Sequence, residues 1–238
     1  MEEIRKLFND YAKTFDLKNK NIMYKYHHSY RVMEYATEIA KSLKLKDEEL
    51  KIVQISALFH DIARFKQYTE YQTYEDKNSF DHGDIGYTII KDNFIDKLTP
   101  SKDYQQVILK STKNHNKYKV EENLKDFELL VSNIVRDADK IDILIELGNL
   151  QKEEKINEEI LSFLYKHEMV PNSLLKTDMD ELLRLIGFIF DLNFKYSYKV
   201  LLDKKVIQNK MNLLEIYSHK DLKELEENII KYMEEKIC

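Results

Sequence analysis

The chain has 238 residues, 34% of them charged, with a formal net charge of −5. That length allows one large domain with a sizeable core, and the lack of a basic excess argues against bulk nucleic-acid binding. Only 4 glycines and 2 prolines are present, so few residues punctuate strands and turns, and the composition favours amphipathic helices joined by short polar loops.

The single cysteine, Cys238, allows no intramolecular disulfide and no cysteine-based metal site, which suits a reducing compartment. Met1-Glu2-Glu3-Ile4-Arg5 lacks the basic-then-apolar layout of a signal peptide. No apolar run approaches the roughly 20 residues of a membrane span; the longest, Leu182 to Leu192, is interrupted by Arg184 and Asp191. The expected setting is the cytoplasm, away from membranes.

In chain order, Ile4, Leu7, Phe8, Tyr11 and Phe15 predict a helix over Glu2 to Phe15. A second helix is expected from about Ile22 to Leu43, with Val32, Tyr35, Ala36, Ile39, Ala40 and Leu43 on its apolar face. Asp47 reads as the N-cap of a third, which ends near His60-Asp61. Lys66 to Phe80 is polar, rich in tyrosine and without a period, and is expected to be a long loop. Tyr68, Tyr71 and Tyr74 in it either form a lid or pocket wall, or pack the loop down.

Helices follow over His82 to Phe94 and, after a break at Pro100, over Asp103 to Asn114. A charged loop around Lys117 to Lys125 leads to an apolar helix over Phe127 to Leu147, with Gly148 as its C-cap. Further helices are expected over Lys155 to Tyr165, Asp178 to Phe194, Tyr196 to Ile207 and Leu222 to Ile237. The whole is expected to be one all-α domain over 1–238, with a core at about 22–147 and a C-terminal helical extension from 148 packed on it.

Five of the seven histidines, His27, His28, His60, His82 and His115, lie in the first half. Asp137, Asp139 and Asp142 sit in the most apolar helix of that half, and a buried carboxylate is costly without a partner. Asp139 and Asp142 share a face, whereas Asp137 points elsewhere. Either neighbouring Lys and Arg pair with these acids, or one of them faces a cation.

The ordered segments His28-Ser29-Tyr30-Arg31-Val32, Ala57-Leu58-Phe59-His60-Asp61-Ile62-Ala63-Arg64-Phe65 and Asp137-Ala138-Asp139-Lys140-Ile141-Asp142 resemble the HD-domain superfamily of metal-dependent phosphohydrolases, over roughly residues 22 to 147. The resemblance implies an HD-type helical bundle in which His28, His60, Asp61 and Asp139 hold one divalent metal. Many members add two intervening histidines and a second metal, with the Asp of the pair bridging. His82 in Asp81-His82-Gly83-Asp84 and His115 in Asn114-His115-Asn116 stand in that interval. The alternative is two surface histidines beside loops. Imidazoles and carboxylates suit Fe or Mn first, with Zn, Mg, Co and Ni also accommodated.

The implied reaction is hydrolysis of a phosphate ester or phosphoanhydride in a nucleotide or small phosphorylated metabolite, by a metal-activated hydroxide held at Asp61. Arg64 resembles the family's phosphate-contacting cation, with Lys140 and then Lys113 as further substrate contacts. Arg64 in a plain salt bridge is the competing reading. His27 is expected to face outward, His167 and His219 to lie on the surface, and Asp137 and Asp142 to be surface acids or acids behind the ligands. Two rival functions share this pattern: a di-iron oxygenase, and a non-catalytic metal-containing ligand-binding protein. The helices after Gly148 either shape the pocket or form a homodimer surface.

Overall fold

The computed structural model describes residues 1–146, 148 and 150–238. Every regular element among the described residues is a helix, as the composition predicts. None of these helices is long and apolar enough to cross a membrane. The chain divides into two compact units, Met1–Ala138 and Asp139–Cys238.

The first unit contains α1 (Glu2–Ala12), α2 (Lys20–Ser42), α3 (Asp47–Phe59), α4 (Ile62–Tyr71), α5 (His82–Asn93), α6 (Ile95–Leu98), α7 (Lys102–Asn114) and the first part of α8 (Asp126–Ile145). Helix α2 packs on α3, α3 on α7, α7 on α5, α5 on α4, and α4 back on α2. These five helices close a ring. Helix α1 lies against α3 and plugs it with aromatic rings. The fully buried Phe8 meets Tyr26, Tyr30, Phe59 and Phe65 at ring-centroid distances of 5.5–6.0 Å.

Several boundaries differ from the sequence reading. Helix α2 starts at Lys20 because Asn19 caps it, its side-chain oxygen accepting from the Asn21 N–H at 2.9 Å. Asp47 is the first helical residue of α3 and not its cap. Lys46 holds the cap position, and the Glu49 carboxylate accepts its backbone N–H at 3.0 Å. The expected loop from Lys66 is half helix: α4 runs to Tyr71 and stops where Gln72 turns left-handed. Its buried face of Ile62, Ala63, Phe65 and Gln67 is too short for its period to stand out. Helix α8 ends at Ile145; Leu147, the expected last residue, lies outside the described residues. Gly148 has φ +88°, a conformation glycine adopts without cost, but it stands beyond the helix end.

The second unit continues from α8 into α9 (Glu158–Tyr165), α10 (Asp178–Gly187), α11 (Lys195–Asp203), α12 (Val206–Ser218) and α13 (Lys223–Ile237). Helix α13 contacts α9, α11 and α12, and α10 contacts α9 and α12. The helix expected over Tyr196 to Ile207 ends at Asp203, and α12 runs on to Ser218, where no helix was expected. Lys204 ends α11, and Lys205 at φ +51° starts α12 in a new direction. The expected helix over Asp178 to Phe194 gives way to a 3-10 turn over Phe188–Asp191. His167, expected at the surface, is half-buried: its ring lies tilted against Tyr232 at 4.5 Å, and its Nε2 pairs with Asn228 at 2.8 Å. His219 is exposed, 3.2 Å from Glu153.

Two predictions follow from this packing. Phe8→Ala removes the ring that α2, α3 and α4 close upon, and we expect it to lower the stability of the chain by about 3–5 kcal/mol in urea unfolding. The second concerns Lys210, which is 1% exposed and whose pKa burial pushes down to about 8, against a partly restoring attraction from Glu146. A base with a depressed folded pKa takes up fewer protons than the unfolded chain between pH 8 and 10.5, so its burial cost is full below pH 8 and fades above it. Lys210→Met is therefore expected to gain stability over wild type at pH 7. That gain should shrink as pH rises from 8 to 10.5, by up to about 3 kcal/mol, in parallel unfolding curves.

Candidate metal centre

His60 occupies the C-cap of α3, and Asp61 breaks the chain at φ −101°, ψ 22° before α4 begins. Within one continuous helix adjacent side chains point about 100° apart; the break lets both reach one centre. His28 is buried on α2, His82 opens α5, and His115 caps the end of α7. The ring of helices thus delivers four histidines and one carboxylate from its inner side.

The Asp61 carboxylate is 2% exposed. Its Oδ2 lies 3.5 Å from Nε2 of His28 and 3.5 Å from Nε2 of His60. Its Oδ1 lies 3.5 Å from Nε2 of His82 and 3.3 Å from Nε2 of His115. Each oxygen therefore faces a pair of imidazoles. Burial by itself would push this carboxyl up; the Lys25 ammonium above all, with His60, Arg64 and His115, holds it well below the usual carboxylate range. Lys25 Nζ stands 2.7 Å from Oδ2, and Arg64 Nε stands 3.4 Å from Oδ1.

The far side of three of the rings fixes their tautomer. His60 Nδ1 donates to the Ala57 carbonyl at 2.7 Å, and His115 Nδ1 donates to the Thr112 carbonyl at 2.6 Å. His82 Nδ1 donates to the Asp76 carboxylate at 2.6 Å. Carbonyls and carboxylates only accept, so in the neutral rings each Nε2 carries a lone pair. Burial also pushes the His82 pKa down to about 4, keeping that ring neutral at pH 7.

Two such lone pairs, on His82 and His115, face each other at 3.0 Å beside Asp61 Oδ1. With the Nδ1 protons so placed, three acceptors converge, and a cation between them satisfies all three. The donor set therefore fits a divalent metal. Within the first unit, sets of ligand atoms within 4.8 Å of one another are formed by His28, His60 and Asp61 and by Asp61, His82 and His115. Asp139, half-buried on α8, follows directly on Ala138.

Residues 26–144, half of the chain, match the family model of the HD domain. The chain belongs to the HD-domain family. No curated protein and no solved structure matches it. The HD-domain match contains all six ligand candidates, from His28 to Asp139. HD domains bind divalent metals, and the family consists mostly of metal-dependent hydrolases.

The structure sorts the cations put forward from the HD-domain resemblance. Arg64 touches Asp61, but its Nη1 also donates to Gln67 Oε1 at 2.7 Å, to the Tyr74 carbonyl and to Asp76 at 3.2 Å. Lys140 is 2.9 Å from Asp191, and Lys113 is 2.6 Å from Glu121. Asp137 and Asp142, expected at the surface or behind the ligands, are both buried. His27 is exposed, as expected.

Sequence reasoning passed over Lys25 and Asp76. Lys25 precedes His28 by three and so shares its helical face; that spacing was its signal. Asp76 lies in the aperiodic stretch, where nothing marks it. Its carboxylate accepts from His82, Gln67, Arg64 and Asn116, at 2.6–3.2 Å. Burial would raise its pKa, but the His82 hydrogen bond, with Gln67 and Arg64, holds it well below the usual range. Tyr74 shields the same corner, its ring 5.6 Å from both Lys25 Nζ and Arg64 Cζ. Gly83 allows the close approach of α5 to the end of α7, since a Cβ there would meet the Lys113 carbonyl at 2.9 Å.

Asp76→Asn leaves an acceptor for His82 but removes the charge that orients the ring. We expect a 10- to 100-fold loss of metal affinity, read by titrating stripped protein with Mn or Co against a chelator; unchanged affinity would assign Asp76 to loop packing alone.

Proposed function

We propose that the chain is a metal-dependent phosphohydrolase that cleaves a phosphate ester or phosphoanhydride in a nucleotide or small phosphorylated metabolite. The observation that carries this reading is the buried Asp61 carboxylate, with a pair of imidazoles facing each of its oxygens at 3.3–3.5 Å. Such a carboxylate suits two cations held side by side, one with His28, His60 and Asp139, the other with His82 and His115. Divalent metals there would lower the pKa of water to near neutrality and offset the charge that builds on phosphoryl oxygens.

The protein's own groups do the rest. Asp61 would supply one oxygen toward each pair of imidazoles. The backbone carbonyls of Ala57 and Thr112 and the Asp76 carboxylate keep the Nδ1 protons in place, so the Nε2 lone pairs stay turned inward. Arg64, beside Asp61, is the favoured contact for a substrate phosphate. All three cations already pair with acids, Arg64 with Asp61 and Asp76, Lys140 with Asp191 and Lys113 with Glu121; Arg64 ranks first because it stands beside Asp61.

The test is metal analysis together with turnover. Freshly purified protein should carry about two metals per chain, falling toward one in His82→Ala and in His115→Ala. Protein stripped and reloaded with Mn, Fe, Co, Ni or Mg should release phosphate or a phosphorylated product from at least one member of a broad ester and nucleotide panel, and Asp61→Ala should abolish that release. Metal-loaded protein that is inert on the whole panel but consumes oxygen when iron-loaded would replace hydrolysis by oxygenation. Inertness in both assays would leave a metal-containing binding protein.

A further inference from the structure

A second feature lies wholly within the unit Asp139–Cys238. A cavity of about 510 Å³ opens along α12 and the end of α8. Its walls include Leu144, Val206 and Leu213, with Lys204, Asn209 and Lys210 among its polar groups. On α12 the residues at 206, 209, 210 and 213 fall on one helical face. Leu144 and Val206 are buried, whereas Lys204 and Asn209 are exposed and stand at the mouth.

Lys210 is the unusual member. Its side chain is 1% exposed, yet it lines the cavity. Its ammonium donates one hydrogen bond, to the Glu146 carbonyl, and forms no ion pair with any acid among the described residues. An ammonium carries three N–H donors. A buried charge of this kind is normally paired or neutralised. Glu146 attracts this charge only in part, and two N–H donors stand beside a space of small-molecule size whose walls include Leu144, Val206 and Leu213.

We propose that this cavity binds a small organic anion, a carboxylate or phosphate on an apolar body, with Lys210 pairing the anionic head. Lys204 at the mouth adds attraction for the incoming charge, and Asn209 offers an amide for a head-group oxygen. The apolar body lies along Leu144, Val206 and Leu213. The ligand completes the pairing that the fold leaves open at Lys210.

The experiment is calorimetric titration of the metal-loaded full chain with octanoate and with octyl phosphate, beside octanol and octylammonium. Saturable binding of at least one anion is expected, with the better of the two identifying the head group; the neutral and cationic probes should bind about tenfold more weakly or not at all. Lys210→Met should weaken the anion about 10- to 100-fold, the range of one charge-assisted hydrogen bond. Lys210→Arg should keep most of the affinity, and Lys204→Glu should reduce it several-fold. The proposal is overturned if no anion saturates, if octanol or octylammonium binds as well as the anions, or if Lys210→Met binds like wild type. It is also overturned if Lys210→Arg loses binding together with Lys210→Met, since the lysine would then be acting through the fold and not through its charge.

Discussion

The first unit is organised around one electrostatic constraint: the Asp61 carboxylate is buried and ionised in a ring of imidazoles that offer it lone pairs. A buried anion costs several kcal/mol unless positive charge compensates it. Lys25 and Arg64 supply part of that charge directly, at 2.7 and 3.4 Å. They do not resolve the crowding on the other side, where His82 and His115 turn acceptors toward each other at 3.0 Å. The helices bring these groups together, and the core built on Phe8, Phe59 and Phe65 packs the helices that carry them.

That strategy explains why four of the candidate ligands, His60, Asp61, His82 and His115, sit at helix ends. His60 and His115 are both C-cap residues, and each ring bonds back to the carbonyl three residues earlier, a group that helix geometry leaves without an intrahelical donor. One contact satisfies the terminus and sets the tautomer. Arg136 on α8 takes up the neighbouring carbonyls of Asn114, His115 and Lys117, so the last turn of α7 is held from two sides. His82 opens its helix and has no such carbonyl beneath it. Asp76 takes that role from the preceding stretch, and this is why a polar, irregular segment is needed beside the centre.

The readable and unreadable parts of the sequence divide along the same line. His28, His60, Asp61, His82, His115 and Asp139 were singled out by the ordered pattern they share with the HD-domain family; the apolar period alone does not choose Asp139 over Asp137 and Asp142. Asp76 was not, since a carboxylate in an aperiodic stretch looks like any solvated acid until the chain folds back on His82. Lys25 was passed over because a charged residue among tyrosines reads as surface, although its spacing to His28 placed it on the inward face. Lys113 and Lys140 stood out for being near the motifs along the chain, and proximity in sequence says nothing of Glu121 and Asp191, which claim them. In the C-terminal unit the division between α11 and α12 falls at Lys205, a left-handed residue that is not glycine. No residue there announces the turn; tertiary packing imposes it.

Asp61 and Lys210 are the two buried charges that set the character of their units, and they are treated in opposite ways. Around Asp61 the chain has assembled cations, oriented rings and a supporting carboxylate, so the charge is held for use and its surroundings are rigid. Around Lys210 it has assembled one carbonyl and a cavity. If the lysine were structural, a carboxylate on a neighbouring helix would be the inexpensive solution, and this chain has acids to spare: 43 against 38 basic residues. A charge that the fold compensates only in part, through Glu146, in a chain with an excess of the opposite charge, leaves room for a partner that arrives from solution.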